Sequence, residues 1–321
     1  MRNILVVGIG NFGSWWVISL TKIKSPLRIY CFDSNISKYE ILRNRLSKYL
    51  LPELDHHKIH FLRALSDAPK KFDVIIIPTN ADVRLEVTQN LRKLFSTEKW
   101  VIEKVVTQSP NQLKSLLDCL HGQTVYVNHS RRLQPASNFL KSILCKKPLP
   151  KSVTYIGGCW ELASNSFHFV DLISYWFETN VVKVDANSLS NLWHTSSTRK
   201  GFFDTSGALS AIFANGLQLK MDWDEGNNEA LWVFEYIDST IKYDEKTGQI
   251  HENDIILDSL PLLNFSEMGI LLEPTLIGDG DEKNKLPLLK EVQNNTSLLL
   301  NAFLSNWISC TNSKNQIVPI N

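Results

Sequence analysis

The chain has 321 residues, 43% hydrophobic and 21% charged, and a formal net charge of +1 at neutral pH. That is an ordinary globular composition with enough chain for two domains. It argues against a nucleic-acid or anionic-membrane partner, which would call for a strongly basic balance, and no apolar run is long enough to span a bilayer. The five cysteines (Cys31, Cys119, Cys145, Cys159, Cys310) are odd in number, widely spaced and free of any C-x-x-C pair. They are expected to be reduced thiols of a cytoplasmic protein, not a disulfide frame or a metal site. No leader peptide is expected, because the N-terminus runs straight into an apolar strand.

The first predicted element is the strand Ile4-Leu5-Val6-Val7. It stops at Gly8-Ile9-Gly10-Asn11-Phe12-Gly13 and leads into a helix. A second apolar run, Leu27–Phe32, ends in Asp33. Strand, G-x-G-x-x-G turn, helix, strand and terminal acid in this register form a dinucleotide-binding fingerprint. Gly8 permits the tight turn, Gly10 lets backbone approach a pyrophosphate, and Gly13 lets the helix lie against the strand. The helix N-terminus offers unpaired N–H groups and a positive dipole end to phosphates. Asp33 accepts both adenosine-ribose hydroxyls and repels a 2′-phosphate, which favours NAD over NADP. The expected cofactor contacts are therefore Gly8, Gly10, Asn11, Phe12, Gly13 and Asp33. Trp15 and Trp16 follow on the first helix, and core packing accounts for at least one of them.

Further along, Lys38–Tyr49 is predicted as a helix and Ile59–Leu62 as a strand. His56, His57 and His60 cluster between them without a cysteine or carboxylate at ligand spacing, so they are expected in a solvated turn. Val74-Ile75-Ile76-Ile77 is a continuous β-branched strand buried on both faces, ending at Pro78-Thr79-Asn80. A helix over Asp82–Leu94, a strand Trp100-Val101-Ile102 ending at Glu103-Lys104, a helix from Ser109-Pro110 and a strand Thr124–Asn128 complete the series. Strands alternating with helices predict a parallel sheet with right-handed crossovers, a Rossmann domain over 1–128. Ligands of such sheets bind beyond the carboxyl ends of the strands, which nominates Thr79, Asn80, Glu103 and Lys104. A partly desolvated lysine beside a positive nicotinamide ring suits acid–base work, although the same lysine could simply cap a strand.

The pattern then changes, and 129–321 is expected to form an α+β domain on a large, mostly antiparallel sheet. A helix over Gln134–Leu144 is followed by candidate strands Val153–Trp160, Val181–Leu192, Gly207–Ala214, Leu217–Trp223, Ala230–Tyr236 and Thr240–Tyr243. Helices are expected at Ser166–Phe177 and Leu286–Ser309, and a surface loop at Thr275–Lys285. His168 and Asp171 fall on one helix face, where the carboxylate could fix the imidazole tautomer, amid apolar neighbours that equally suit a core histidine. Two helices cover only part of so broad a sheet, so a homodimer or homotetramer through its apolar face is expected.

Together these segments resemble the Gfo/Idh/MocA oxidoreductases, the glucose–fructose oxidoreductase and inositol dehydrogenase family. Gly8–Gly13 with Asp33 resembles its cofactor fingerprint, and Ile75–Asn80 its strand ending in a Thr-Pro-Asn turn. Val101-Ile102-Glu103-Lys104-Val105 resembles its Glu-Lys-Pro motif. Arg132-Leu133-Gln134-Pro135 resembles its Arg-aromatic-x-Pro segment, and His168-Phe169-Val170-Asp171 its His-x-x-Asp. The resemblance implies that Lys104 meets nicotinamide and substrate, and that His168 transfers a proton or binds substrate. Arg132, Ser164 and Asp171 become substrate-side candidates. The implied reaction is hydride transfer to or from a carbinol carbon of a sugar-like compound, a nucleotide-linked or amino sugar. Three positions depart from the family: Ser164 replaces an Asp four residues before the histidine, Val105 replaces the motif proline, and Arg84 stands where a His is usual. Those departures keep open a non-enzymatic, dinucleotide-sensing regulator of the same fold. A biliverdin-reductase-like enzyme is a third reading and would require a broad apolar cleft.

Overall fold

The computed structural model describes residues 1–49, 57–158, 160–278 and 284–321. The chain divides into two compact units: Met1–Val106 with Lys114–Leu133 and Leu263–Lys290, and Thr107–Leu113 with Gln134–Leu262 and Glu291–Asn321.

The first unit runs β1 (Arg2–Val7), α1 (Asn11–Leu20), β2 (Leu27–Phe32), α2 (Lys38–Tyr49), β3 (Lys58–Phe61), β4 (Lys71–Ile77), α3 (Ala81–Leu94), β5 (Ser96–Ile102), most of α4 (Pro110–Cys119) and β6 (Thr124–Val127). Its six described strands are all parallel, in the order β3-β2-β1-β4-β5-β6. The order reverses between β1 and β4, the switch point at which such sheets open a crevice. There Ile4, Leu5 and Val6 pair with Val74, Ile75 and Ile76, so the turns after the two strands lie side by side. Burial of β1 and β4 on both faces explains why they read as unbroken apolar runs.

Leu263–Lys290 packs onto this unit and corrects one expectation. It contains a 3₁₀ turn, Phe265–Glu267, and α7 (Gly269–Leu276), neither of which the sequence pattern announced. Phe265 lies 4.8 Å from the rings of both Phe12 and Trp16, and Met268, Leu272, Leu276 and Leu286 belong to the core around β1 and β2. α7 sits so close to α1 that a Cβ on Gly269 would stand 2.0 Å from the Ser19 carbonyl. Thr275–Lys285 is thus not simply a surface loop: Thr275 and Leu276 are buried, while residues 279–283 lie outside the described residues. The histidine cluster also differs from expectation. His57 is buried, its Nδ1 accepting the Leu27 N–H and its Nε2 facing the Ile23 carbonyl, each at 3.1 Å. That pairing ties two segments of the core, which a solvated turn would not do. His60 stacks on Tyr30, and His56 lies outside the described residues.

The second unit contains α5 (Pro135–Leu144), β7 (Ser152–Gly157), α6 (Leu162–Phe177), β8 (Val181–Asp185), β9 (Leu189–Thr195), β10 (Phe203–Phe213), β11 (Gln218–Trp223), β12 (Ala230–Glu235), β13 (Thr240–Asp244), β14 (Gln249–Glu252), β15 (Ile255–Ser259) and most of α8 (Leu289–Thr311). The nine described strands run β15-β14-β13-β12-β7-β11-β10-β8, with β9 also on β10. Only the β7–β11 pair is parallel among them. The single strand expected over Val181–Leu192 is two, because Asp185 accepts the Asn187 N–H and turns the chain. The eleven-residue β10 pairs its first half with β9 and its second with β8. β14 and β15 are short, and β15 exposes Ile255, Ile256 and Leu257 in a row, so neither shows an alternating signature. α6 lies on the sheet through Phe169 and Trp176, which meet Tyr155, Trp232 and Phe234 edge-on or tilted. Among the described residues Cys31, Cys119, Cys145 and Cys310 are free thiols, Cys159 lies outside them, and no helix is long and apolar enough to cross a membrane.

Candidate functional site

The glycine turn after β1 shows three different constraints. Gly8 has φ +103°, and a Cβ there would meet Thr79 Cγ2 at 2.7 Å. A Cβ on Gly13 would fall 1.7 Å from the Gly8 carbonyl oxygen, so α1 can leave the strand this closely only without one. Gly10 differs: among the described residues nothing lies within 4 Å of its would-be Cβ, although it sits at the mouth of α1. The N-cap residue of α1 is Gly10, which has no side chain to cap it, and among the described residues no side-chain cap is present, which leaves its first-turn N–H groups to solvent or ligand.

Asp33, at the end of β2, is fixed by main chain. Its Oδ2 accepts the Ile9 N–H at 2.7 Å and its Oδ1 the Asn35 N–H at 2.8 Å. Its own N–H donates to the Tyr39 hydroxyl, which donates in turn to the Leu62 carbonyl at 2.6 Å. Burial pushes the Tyr39 phenol up, so it stays neutral and able to donate. Each Asp33 oxygen keeps a lone pair for a further donor. A residue missed from sequence, Arg45 of α2, lies 3.9 Å over the Trp15 ring and donates to the Asn11 carbonyl, the Asn11 side chain and Ser14 Oγ. Of the paired tryptophans, Trp16 is the core residue and Trp15 the platform for this cation.

Past β4 and β5 the same edge carries Thr79-Asn80 and Glu103-Lys104. Glu103 is buried, and its Oε1 accepts Trp16 Nε1–H at 2.6 Å and Asn128 Nδ2–H at 2.7 Å. Burial pushes its carboxyl up, while these bonds and the Arg84 and Lys104 charges pull it down. Lys104 is half-buried, and the Lys104–Val105 peptide is cis. Beneath it Arg84, 1% exposed, donates to the carbonyls of Thr79, Glu103, Val105 and Val106. Two polar atoms at this edge, Thr79 Oγ1 and Asn128 Oδ1, are buried without a hydrogen-bond partner among the described residues. Open space beside Gly10, a fixed carboxylate at Asp33 and these two orphaned oxygens fit an extended polar ligand such as a dinucleotide. Arg132 is half-buried in a 3₁₀ turn, Ser130–Leu133, after β6, and Phe12 turns its ring to Phe265.

In the second unit Ser164, His168 and Asp171 are buried at i, i+4 and i+7 of α6, one face of the helix. Two carboxylates that sequence did not nominate stand at the start of this helix. Asp204 of β10, 2% exposed, accepts the Ala163 N–H at 2.6 Å, and its Oδ2 has no hydrogen-bond partner among the described residues. Burial raises its carboxyl to about 7. Glu161 accepts Ser196 Oγ at 2.5 Å and Thr198 Oγ1 at 3.1 Å, and stands 3.5 Å from Ser164 Oγ. These hydroxyls and the Arg199 charge hold its carboxyl below the usual range despite partial burial. The place where the family carries an Asp therefore has a hydroxyl with a carboxylate beside it. A groove of about 610 Å³ between β8–β9 and α8, lined by Asp185, Asn187, Asn191 and Asn301, contains none of these residues. Among the described residues no group of three or more His, Cys, Asp or Glu side chains could hold a metal ion.

The sequence matches no protein-family model and no curated protein. Solved structures are similar over nearly the whole chain. A super-repressor mutant of Gal80p from Saccharomyces cerevisiae is 14% identical, with 96% of each chain covered and a TM-score of 0.72. The UDP-N-acetylglucosamine 3-dehydrogenase GnnA from Acidithiobacillus ferrooxidans is 13% identical, covering 94% of this chain and 95% of its own, with a TM-score of 0.67. The dehydrogenase MviM from Clostridium difficile is 13% identical, covering 94% and 99%, with a TM-score of 0.64. At such identities the likeness is one of fold. It is the fold of the Gfo/Idh/MocA oxidoreductases, as the sequence motifs implied, and Gal80p shares it.

Proposed function

We propose that this chain is an NAD-dependent oxidoreductase acting on a carbinol carbon of a sugar-like substrate, a nucleotide-linked or amino sugar. The observation that carries the reading is the glycine turn: side-chain space is closed at Gly8 and Gly13, left open at Gly10, and followed by a carboxylate locked at the end of β2. Asp33 would receive the adenosine ribose and discriminate against a 2′-phosphate by charge, favouring NAD over NADP. Thr79, Asn80 and Glu103 line the remaining edge. A nicotinamide dinucleotide, when bound, supplies the hydride-transferring carbon. The chain's own part is to orient the substrate and move the hydroxyl proton, and for that we assign Lys104 in the first unit and His168 in the second. Arg132, Ser164 and Asp171 are assigned to substrate binding. The sugar class is supported by GnnA, whose name gives a nucleotide sugar as substrate. We further infer a cytoplasmic homodimer or homotetramer, formed through the sheet face carrying Ile156, Leu231 and Val233, which are only half-buried in the single chain.

The test is absorbance at the reduced-nicotinamide band with NAD and a panel of nucleotide sugars, amino sugars and cyclitols, beside Lys104→Ala and a fluorescence titration of NADH. Turnover that vanishes in Lys104→Ala is the expected result. NADH binding with no turnover across the panel would favour a second reading, a dinucleotide-sensing regulator. That reading is motivated by Ser164 in place of the family's Asp and by the fold shared with a repressor.

A further inference from the structure

We infer that Arg84 is a positioning residue of the proposed dinucleotide site, fastening the turn that carries Lys104 to the turn that carries Thr79 and Asn80. It would thereby govern the nicotinamide end of the site and leave the adenosine end alone. The inference rests on the dinucleotide reading above and gives a role to Arg84, which the sequence marked only as a departure from the family pattern.

Arg84 lies on the inward face of α3 with Ala81, Thr88 and Leu91. A guanidinium there is costly to bury unless its charge and donors are met. Its two terminal nitrogens are met by main-chain carbonyls from two neighbouring strand ends. Glu103 O at 2.8 Å, Val106 O at 3.1 Å and Val105 O belong to the turn after β5, and Thr79 O to the turn after β4. Three of these four carbonyls surround Lys104. The residue after Lys104 is Val105, whose side chain does not lock the backbone as a proline ring would. The turn's shape therefore depends on what holds its carbonyls. A planar fork spans several acceptors at once, which a lysine ammonium on a flexible stem does not reproduce.

The adenosine end has separate supports. Asp33 is held by the Ile9 and Asn35 N–H groups and braced through Tyr39, and Asn11 and Ser14 receive Arg45. None of those bonds involves Arg84. Loss of Arg84 should therefore loosen residues 103–106 while the glycine turn and Asp33 stay in place.

Two probes separate the ends. ADP-ribose presents the adenosine and pyrophosphate, and NADH adds the nicotinamide. Both are titrated by tryptophan fluorescence against the full chain, Arg84→Met and Arg84→Lys. Arg84→Met is expected to weaken NADH at least about tenfold, an effect of about 1.4 kcal/mol, with ADP-ribose unchanged. Arg84→Lys should show the same split to a smaller degree, and it serves alone if Arg84→Met does not give a cooperative melt. Equal weakening of both ligands, or no weakening of NADH, overturns the inference while the dinucleotide reading stands. Wild-type protein that binds neither ligand overturns both.

Discussion

The dinucleotide edge of the first unit and the opening turns of α6 in the second place polar groups by different means. At the first, functional groups other than Glu103 are anchored to main chain. Asp33 rests on two backbone N–H groups, Arg84 on four carbonyls, and the glycine turn works by the absence of a side chain. At the second, the groups are held by partners far away in sequence, side-chain hydroxyls for Glu161 and a helix-start N–H for Asp204. Glu161 gathers hydroxyls from the segment after β9, and Asp204 reaches across from β10 to the helix start. Where a group's place follows from local secondary structure, as in the glycine turn and Asp33, it leaves a motif. The bonds at the start of α6 join residues 35–41 positions apart and leave none.

Substitutions can break or sharpen this contrast. The largest effect is expected at Gly13→Ala. Its Cβ collides with the Gly8 carbonyl, so stability should fall by about 3 kcal/mol or more, together with NADH binding, as read by denaturant titration. Gly10→Ala should separate the two properties. With open space around the new methyl the melting temperature should hold, yet NADH affinity should fall at least about a hundredfold, the worth of two lost close approaches to phosphate. Unchanged NADH binding in Gly10→Ala would mean that no pyrophosphate lies against this glycine.

Asp33→Ala should weaken NADH about ten- to a hundredfold, through loss of bonds to a charged acceptor, and improve NADPH relative to it. Tighter binding of NADPH than NADH by the unmutated chain would refute the role given to Asp33.

Asp204 carries the next effect, and its sign is opposite to that of most carboxylates. The folded chain holds this proton up to about pH 7, whereas an unfolded Asp releases it near 3.8. Its contribution to stability is therefore greatest below the unfolded value, falls as pH rises to about 7, and is level above. Asp204→Asn removes that fall, so the variant should gain on the parent between pH 4 and 7, by at most about 4 kcal/mol. Urea midpoints whose difference stays constant over that range would show Asp204 to be ionised throughout.

Glu161→Gln should be the smallest change. Its carboxyl is depressed, so its contribution is present above the usual carboxylate range and lost as pH falls. Its half-exposed position limits that to about 1 kcal/mol or less. Thermal melts should show a small deficit at pH 7 that closes toward pH 4.

The parallel sheet, the glycine turn, Asp33 and the two strand-end turns were readable because each rests on local periodicity or on a residue that backbone geometry requires. Arg84 left a signal that the pattern alone did not decode: a cation on the buried 81–84–88–91 stripe of α3. Ser164 was legible as a hydroxyl where the family carries a carboxylate, but Glu161 and Asp204 gave no sign of meeting the start of α6. Residues 263–290 were unreadable as a group, because α7 is short, contains Pro274, and follows a strand of the other unit. Its place is set by Phe12, Trp16 and Ser19, some 250 residues earlier.

That last arrangement bears on synthesis. Everything through Leu133 emerges first, yet Met268, Leu272, Leu276 and Leu286, which cover Trp16 and its neighbours, come only after the intervening sheet has been made. At ribosomal speeds of roughly ten residues per second, the early portion waits on the order of ten seconds with one flank bare. A nascent chain arrested near residue 150 should offer that flank to chaperones, and one arrested well past Lys290, clear of the exit tunnel, should not.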